Sequence, residues 1–101
     1  MTVLHIATFR WKDGVTEDQV ARFHQALIEL RGMLPILLTY RHGTNLGLRD
    51  GNYDYGVVAE VASPEDVSRY LDHPLHQEFA KEFVVSMVAE RAAVQIAIPD
   101  A

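Results

Sequence analysis

Hydrophobic positions along the chain follow two rhythms in turn, one of period two and one of helical spacing. Residues 2–9 read Thr-Val-Leu-His-Ile-Ala-Thr-Phe, β-branched and aromatic, and lead into a turn at Asp13-Gly14, which predicts a strand. Its two faces are Val3, His5, Ala7, Phe9 and Leu4, Ile6, Thr8. Both are largely apolar, as expected of a strand covered on both sides. Thr16 and Gln19 form a capping-box pair, and Val20, Phe23, Leu27, Leu30 and Leu34 recur at helical spacing, predicting a helix over 17–32. Pro35 blocks its continuation. A second strand is predicted over 36–42, with Ile36, Leu38 and Tyr40 on one face, then a loop to Asp50-Gly51 and a third strand over 53–61.

Ser63-Pro64-Glu65-Asp66 is a helix start, with a capping serine, proline in the first turn and acids at the positive end of the dipole. That helix runs to about residue 71. His73 precedes Pro74 and is pushed out of helical geometry, so a second helical segment starts at Pro74 and continues toward Met87. Val94, Ile96 and Ile98 alternate as a last strand. Strand, helix, strand, strand, helices, strand is the order of a ferredoxin-like α+β protomer, βαββαβ, with a four-stranded antiparallel sheet and its helices on one side. One sheet face is then bare, and a second copy of the same face is the natural cover, so a homodimer through sheet faces is expected.

The length, 101 residues, fits one domain spanning 1–101. Nine basic against fourteen acidic residues give a net charge of −5, with the basic ones scattered, so nucleic acid is not an expected partner. The absence of cysteine removes disulfides, thiolate metal sites and thiol nucleophiles, and fits a cytoplasmic protein. No signal peptide or membrane-spanning run is read in the sequence, and no membrane partner is expected.

The densest polar segment is Tyr70-Leu71-Asp72-His73-Pro74-Leu75-His76. The break at Pro74 can turn Tyr70, on the last turn of one helix, and His76, on the first turn of the next, toward a common space. A histidine near a helix start feels the positive end of the dipole, which disfavours imidazolium and keeps a base available. A neighbouring tyrosine hydroxyl could orient a carbonyl or stabilise an enolate. Capping or core-packing roles for the same two residues stand beside this reading. His73 reads as an N-cap of the second segment. His73 and His76 have the offset of two metal ligands, but His73 lies outside the helix and no carboxylate is fixed beside them, so no metal is expected. His5, inside an apolar strand, either pairs with a buried polar partner or lines the same cavity as Tyr70 and His76. His24, flanking the helix stripe, and His42, near a strand end, read as boundary or surface residues, with His24 also a candidate pocket wall, and Tyr53 and Tyr55 share a strand face and fill core. Phosphate loops, a Gly-x-Ser-x-Gly elbow and a His-Glu-x-x-His helix are absent, and no cofactor is expected.

Val3-Leu4-His5, Trp11-Lys12-Asp13, Leu34-Pro35, Gly43 with Asn45, and above all Tyr70 through His76 make the chain resemble the stress-responsive A/B barrel family over essentially its whole length. The resemblance implies a dimeric α/β barrel of ferredoxin-like protomers. One plant member is a polyketide cyclase that closes a linear thioester by aldol chemistry with carboxylate retention. By that resemblance Tyr70 and His76 match the catalytic pair, and His5 and His73 match further histidines. Tyr55 stands where the cyclase has a histidine on the third strand, and His24 and Leu27 replace two aromatic wall residues. The expectation is a cofactor-independent cyclase or lyase with His76 as base, Tyr70 holding His76 or an enolate oxygen, and His5 orienting a small hydrophobic carbonyl compound. His24, Leu27, Tyr55 and His73 are expected around the substrate. The alternative is a non-catalytic homodimer that acts in stress response or binds a small hydrophobic molecule.

Overall fold

The computed structural model describes residues 1–100. Its elements in order are β1 (Thr2–Trp11), α1 (Glu17–Met33), β2 (Thr39–Thr44), β3 (Tyr55–Val61), α2 (Pro64–Leu71), α3 (Pro74–Phe79) and β4 (Val88–Ile98). Between α3 and β4 the helical path widens into a π-turn over Ala80–Val84 and closes with one turn at Val85–Met87. The four strands form one open antiparallel sheet in the order β2-β3-β1-β4, the ferredoxin-like arrangement. A single chain does not close a barrel.

α1 starts where the capping box places it. Gln19 N donates to Thr16 Oγ1 at 3.2 Å, and Thr16 N donates to Gln19 Oε1 at 2.8 Å, satisfying two otherwise unpaired amides. Thr16→Ala removes one of these bonds and is expected to lower unfolding free energy by about 1 kcal/mol, measured by urea denaturation, with no change in m. Along α1, Phe23, Leu27 and Leu30 are buried against the sheet, and Leu34 and Leu37 seal the end of the core. Phe23 is the hub, with the rings of Phe9, Trp11, Tyr55 and Phe79 within 5.8 Å of its own centroid. On β1 the helix-facing residues Val3, His5, Ala7 and Phe9 are all buried, in agreement with the alternation of the sequence.

The second strand begins later than its hydrophobic pattern predicts. After Pro35 the chain turns, with Leu37 N donating to Leu34 O at 3.1 Å, and Arg31 holds the carbonyls of Leu37 and Leu38. Leu37 therefore enters the core while Leu38 is exposed, the reverse of simple alternation from Ile36. The third strand starts at Tyr55 because Asp54 is occupied elsewhere: its carboxylate accepts from Trp11 N and its amide donates to Phe9 O, each at 2.8 Å. Tyr53 is thus not a core partner of Tyr55; its ring lies beneath the Arg10 guanidinium, 4.6 Å away. β4 reaches back to Val88 because its alanine-rich first half pairs with β1, up to Trp11 opposite Val88, although it carries little hydrophobic signal of its own. None of the helices among the described residues is long and apolar enough to cross a membrane.

Candidate active site

A cavity of about 70 Å³ lies between the helix-facing side of the sheet and the α2–α3 segment, and His5, Tyr40, Tyr70, His76 and Arg91 supply its polar wall. The helix break builds it. α2 ends at Leu71, His73 N donates to Tyr70 O at 3.3 Å, and His73 Nδ1 accepts the amide of Leu75 at 3.1 Å, capping α3. Gln77 ties the two segments from the other side, its side-chain amide donating to Leu71 O at 3.0 Å. The chain reverses within four residues, so Tyr70 and His76 face the same space with ring centroids 4.7 Å apart. His5 presents its edge to Tyr70 at 6.2 Å from the floor of the cavity.

Each ring is held differently. Gln95, opposite His5 in the β1–β4 register, donates to His5 Nδ1 at 2.8 Å, which leaves Nε2–H as the donor of a neutral His5 ring. The Tyr70 hydroxyl meets that of Tyr40 at 2.5 Å, and no hydrogen bond joins it to His76. Tyr70 therefore acts on His76 through ring packing, not as a hydrogen-bonded holder. His76 Nδ1 is fully buried and no hydrogen bond of ordinary geometry reaches it among the described residues, although the Leu71 carbonyl lies near enough to the ring to favour its protonated form.

Burial sets the electrostatics. It is the first cause that pushes the His76 pKa from 6.5 down to about 4, reinforced by the charges of His5 and Arg91 and opposed by the Leu71 carbonyl and Asp72. The helix dipole expected from the sequence is not needed, since α3 has only six residues. Burial, followed by the Arg91 charge, also lowers the pKa of His5. Tyr70 is raised to about 12 by burial, and its bond to Tyr40 works in the opposite direction. At neutral pH the cavity thus holds two neutral imidazoles and protonated phenols, with one exposed guanidinium contributing to its lining.

Of the residues placed around the substrate from the sequence, Leu27 lines this cavity. His73 does not, because its ring is committed to the α3 cap. His24 and Tyr55 do not either; they meet each other and His42 on the far side of the Tyr40 ring, and His42 is a half-buried, helix-facing residue of β2. Tyr40, Gln95 and Arg91 have no local sequence signal and reach the site through strand register alone. No group of three His, Cys, Asp or Glu side chains with metal-ligand geometry occurs among the described residues.

The fold is shared with known proteins. The family model described as the stress responsive A/B barrel domain matches residues 3–98. A crystal structure of a dimeric ferredoxin-like protein of unknown function from Thermobifida fusca superposes with a TM-score of 0.88 at 43% identity, covering 97% of this chain and 92% of the other. Olivetolic acid cyclase of Cannabis sativa is 27% identical over 81 residues, 78% of this chain and 80% of the cyclase. The hydroxynitrile lyase of Passiflora edulis has the same fold, with a TM-score of 0.84 at 22% identity over 99% of this chain and 95% of the lyase. With the helix break, its tyrosine and histidine and the open ferredoxin-like sheet all in place, the chain belongs to the stress responsive A/B barrel domain family.

Proposed function

We propose that the chain is a cofactor-independent acid/base catalyst of the cyclase or lyase kind, acting on a small carbonyl compound in the His5–Tyr70–His76 cavity. The observation that carries this reading is the placement of His76: its ring lines the cavity 4.7 Å from that of Tyr70, burial keeps it neutral, and no side-chain hydrogen bond among the described residues occupies it. The His76 nitrogen open to the cavity takes the proton alpha to the carbonyl, the C–H electron pair becomes the C=C bond of the enolate, and the carbonyl π pair moves to oxygen. The Nε2–H of His5 and the Tyr70 hydroxyl, itself backed by Tyr40, stabilise the resulting enolate. The enolate carbon then adds to a second carbonyl, whose oxygen takes the proton back from His76, or is itself reprotonated by His76. That two similar proteins are a cyclase and a lyase supports an enzymatic role. The cavity volume, against about 30 Å³ for one water, suits the reacting carbonyl end of a substrate rather than a long chain.

The working unit in this reading is a homodimer, with the open face of one sheet packed on that of a second copy. The apolar side chains left on that face, Leu4, Ile6, Val58, Val94 and Ile96, support it, as does the dimeric Thermobifida fusca structure. A second reading, a non-catalytic dimer that binds a small hydrophobic molecule, is favoured by the apolar part of the lining, Ala7, Phe9, Leu27, Val57 and Phe79.

The test is deuterium incorporation at the alpha carbon of a short β-keto thioester in D₂O, followed by proton NMR. Exchange faster than in buffer is expected. Its rate should hold as the pH falls through 6.5 and drop only toward about 4, because the base must be neutral and burial lowers the His76 pKa. Saturable binding with exchange no faster than in buffer overturns catalysis and leaves the second reading standing.

A further inference from the structure

Outside the cavity, three polar side chains from three elements converge on one point. His24 of α1 places Nδ1 2.7 Å from Tyr55 Oη, His42 of β2 places Nδ1 2.8 Å from the same oxygen, and the two nitrogens are 3.2 Å apart. Tyr55 is fixed by its burial, its ring packed at 4.9 Å on Phe23 and 5.7 Å on Trp11. His24 and His42 stack edge to face with centroids 4.6 Å apart.

Two hydrogen bonds through the Tyr55 hydroxyl can hold this triangle, one donated and one accepted. The phenol brings one hydrogen, and a second can sit on one Nδ1, but protonating both nitrogens would set two N–H groups against each other. One edge of the triangle is therefore always a shared or weak bond. A cation uses all three lone pairs at once. A triangle with these sides has a point about 2.0–2.1 Å from every corner, the usual distance of zinc from nitrogen and oxygen ligands.

We propose that His24 Nδ1, His42 Nδ1 and Tyr55 Oη bind a first-row divalent transition ion of the zinc class. Two imidazoles select against magnesium and calcium, which prefer all-oxygen shells. A surface cleft lined by Trp11, Val20, His24 and Thr44 opens on the His24 side of the site. The site does not depend on the carbonyl chemistry proposed above, since none of its three ligands lines the His76 cavity.

The test is calorimetric titration of tag-free, chelator-treated protein with zinc chloride, with the visible absorption of cobalt(II) as a second probe of the same ligands. One ion per chain is expected. Tyr55→Phe, which keeps the ring and removes only the oxygen, and His42→Phe should each weaken zinc by about 10- to 100-fold or more, since even outer-shell changes have effects of that size. Zinc should raise the melting temperature of the wild type and not of Tyr55→Phe. His73→Asn, which retains a capping acceptor, should bind as the wild type does. Absence of zinc uptake by the wild type overturns the site, and so does unchanged affinity in either Tyr55→Phe or His42→Phe.

Discussion

Replacing His76 by alanine is expected to lower the rate of alpha-proton exchange by about 10²- to 10⁴-fold, the usual contribution of a positioned general base. The fold should survive the change. His76 Nδ1 has no partner to strand, so truncation removes a buried unsatisfied atom, and the loss is limited to ring contacts with Tyr70 at 4.7 Å and Phe79 at 6.1 Å. His76→Phe separates the two effects further, because it keeps an aromatic ring in that slot while removing the nitrogen. It should match or exceed the wild-type melting temperature and be as inactive as the alanine variant. Tyr70→Phe behaves differently: it leaves Tyr40 Oη without its only hydrogen-bond partner, so stability and rate fall together. Exchange kinetics and differential scanning calorimetry on the three variants decide the matter. A folded His76→Phe protein with wild-type exchange would show that the base lies elsewhere.

The contrast between these variants reflects what can be read locally. Tyr70, His73, Pro74 and His76 fall within seven residues, and the proline-imposed break dictates their mutual orientation, so the sequence is enough to see one tyrosine and one histidine turned into one space. His5 was legible as a polar exception on an apolar strand face. Its partner was not, because Gln95 lies ninety positions away and meets it only through the β1–β4 register. The same holds for Tyr40, whose bond to Tyr70 depends on where β2 begins. That boundary was misread, since the hydrophobic run from Ile36 hides a turn that inverts the alternation at Leu37 and Leu38. His42 reads from the sequence as a boundary or surface residue at a strand end, and it is half-buried; extension of β2 to Thr44 keeps it within the strand, opposite Val57 and on the same face as Tyr40. Local chemistry was therefore readable wherever the chain itself forces the geometry. It was not readable where two distant strands must first agree on register.

Ile6→Asp is expected to convert a dimer into a folded monomer at micromolar concentration. Ile6 is central to the open face, since its cross-strand neighbours are Val58 on β3 and Val94 on β4, with Leu4 and Ile96 alongside. Val94 and Ile96 are 51% and 42% exposed in the isolated chain, although they sit on the apolar side of an eleven-residue strand. Around this patch the rim is polar: Glu60 accepts the Thr2 hydroxyl at 2.7 Å and the Thr39 hydroxyl at 3.1 Å, so a dry centre would be framed by satisfied hydrogen bonds. A carboxylate placed at such a centre is either desolvated without a partner or holds the sheets apart. An uncompensated buried charge commonly costs about 3–5 kcal/mol, a two-fold dimer carries the substitution twice, and each 1.4 kcal/mol is about tenfold in the dissociation constant, so even a nanomolar dimer is carried well above the micromolar range. The monomer keeps its own core because Val3, His5, Ala7 and Phe9 point to the opposite side of β1. Sedimentation velocity should show twice the chain mass for the wild type and a single chain for Ile6→Asp, while circular dichroism remains native. A wild type that sediments as a monomer at these concentrations would remove the dimer, and an Ile6→Asp variant that stays dimeric would place the interface on another surface; either leaves the apolar face of the sheet without an occupant.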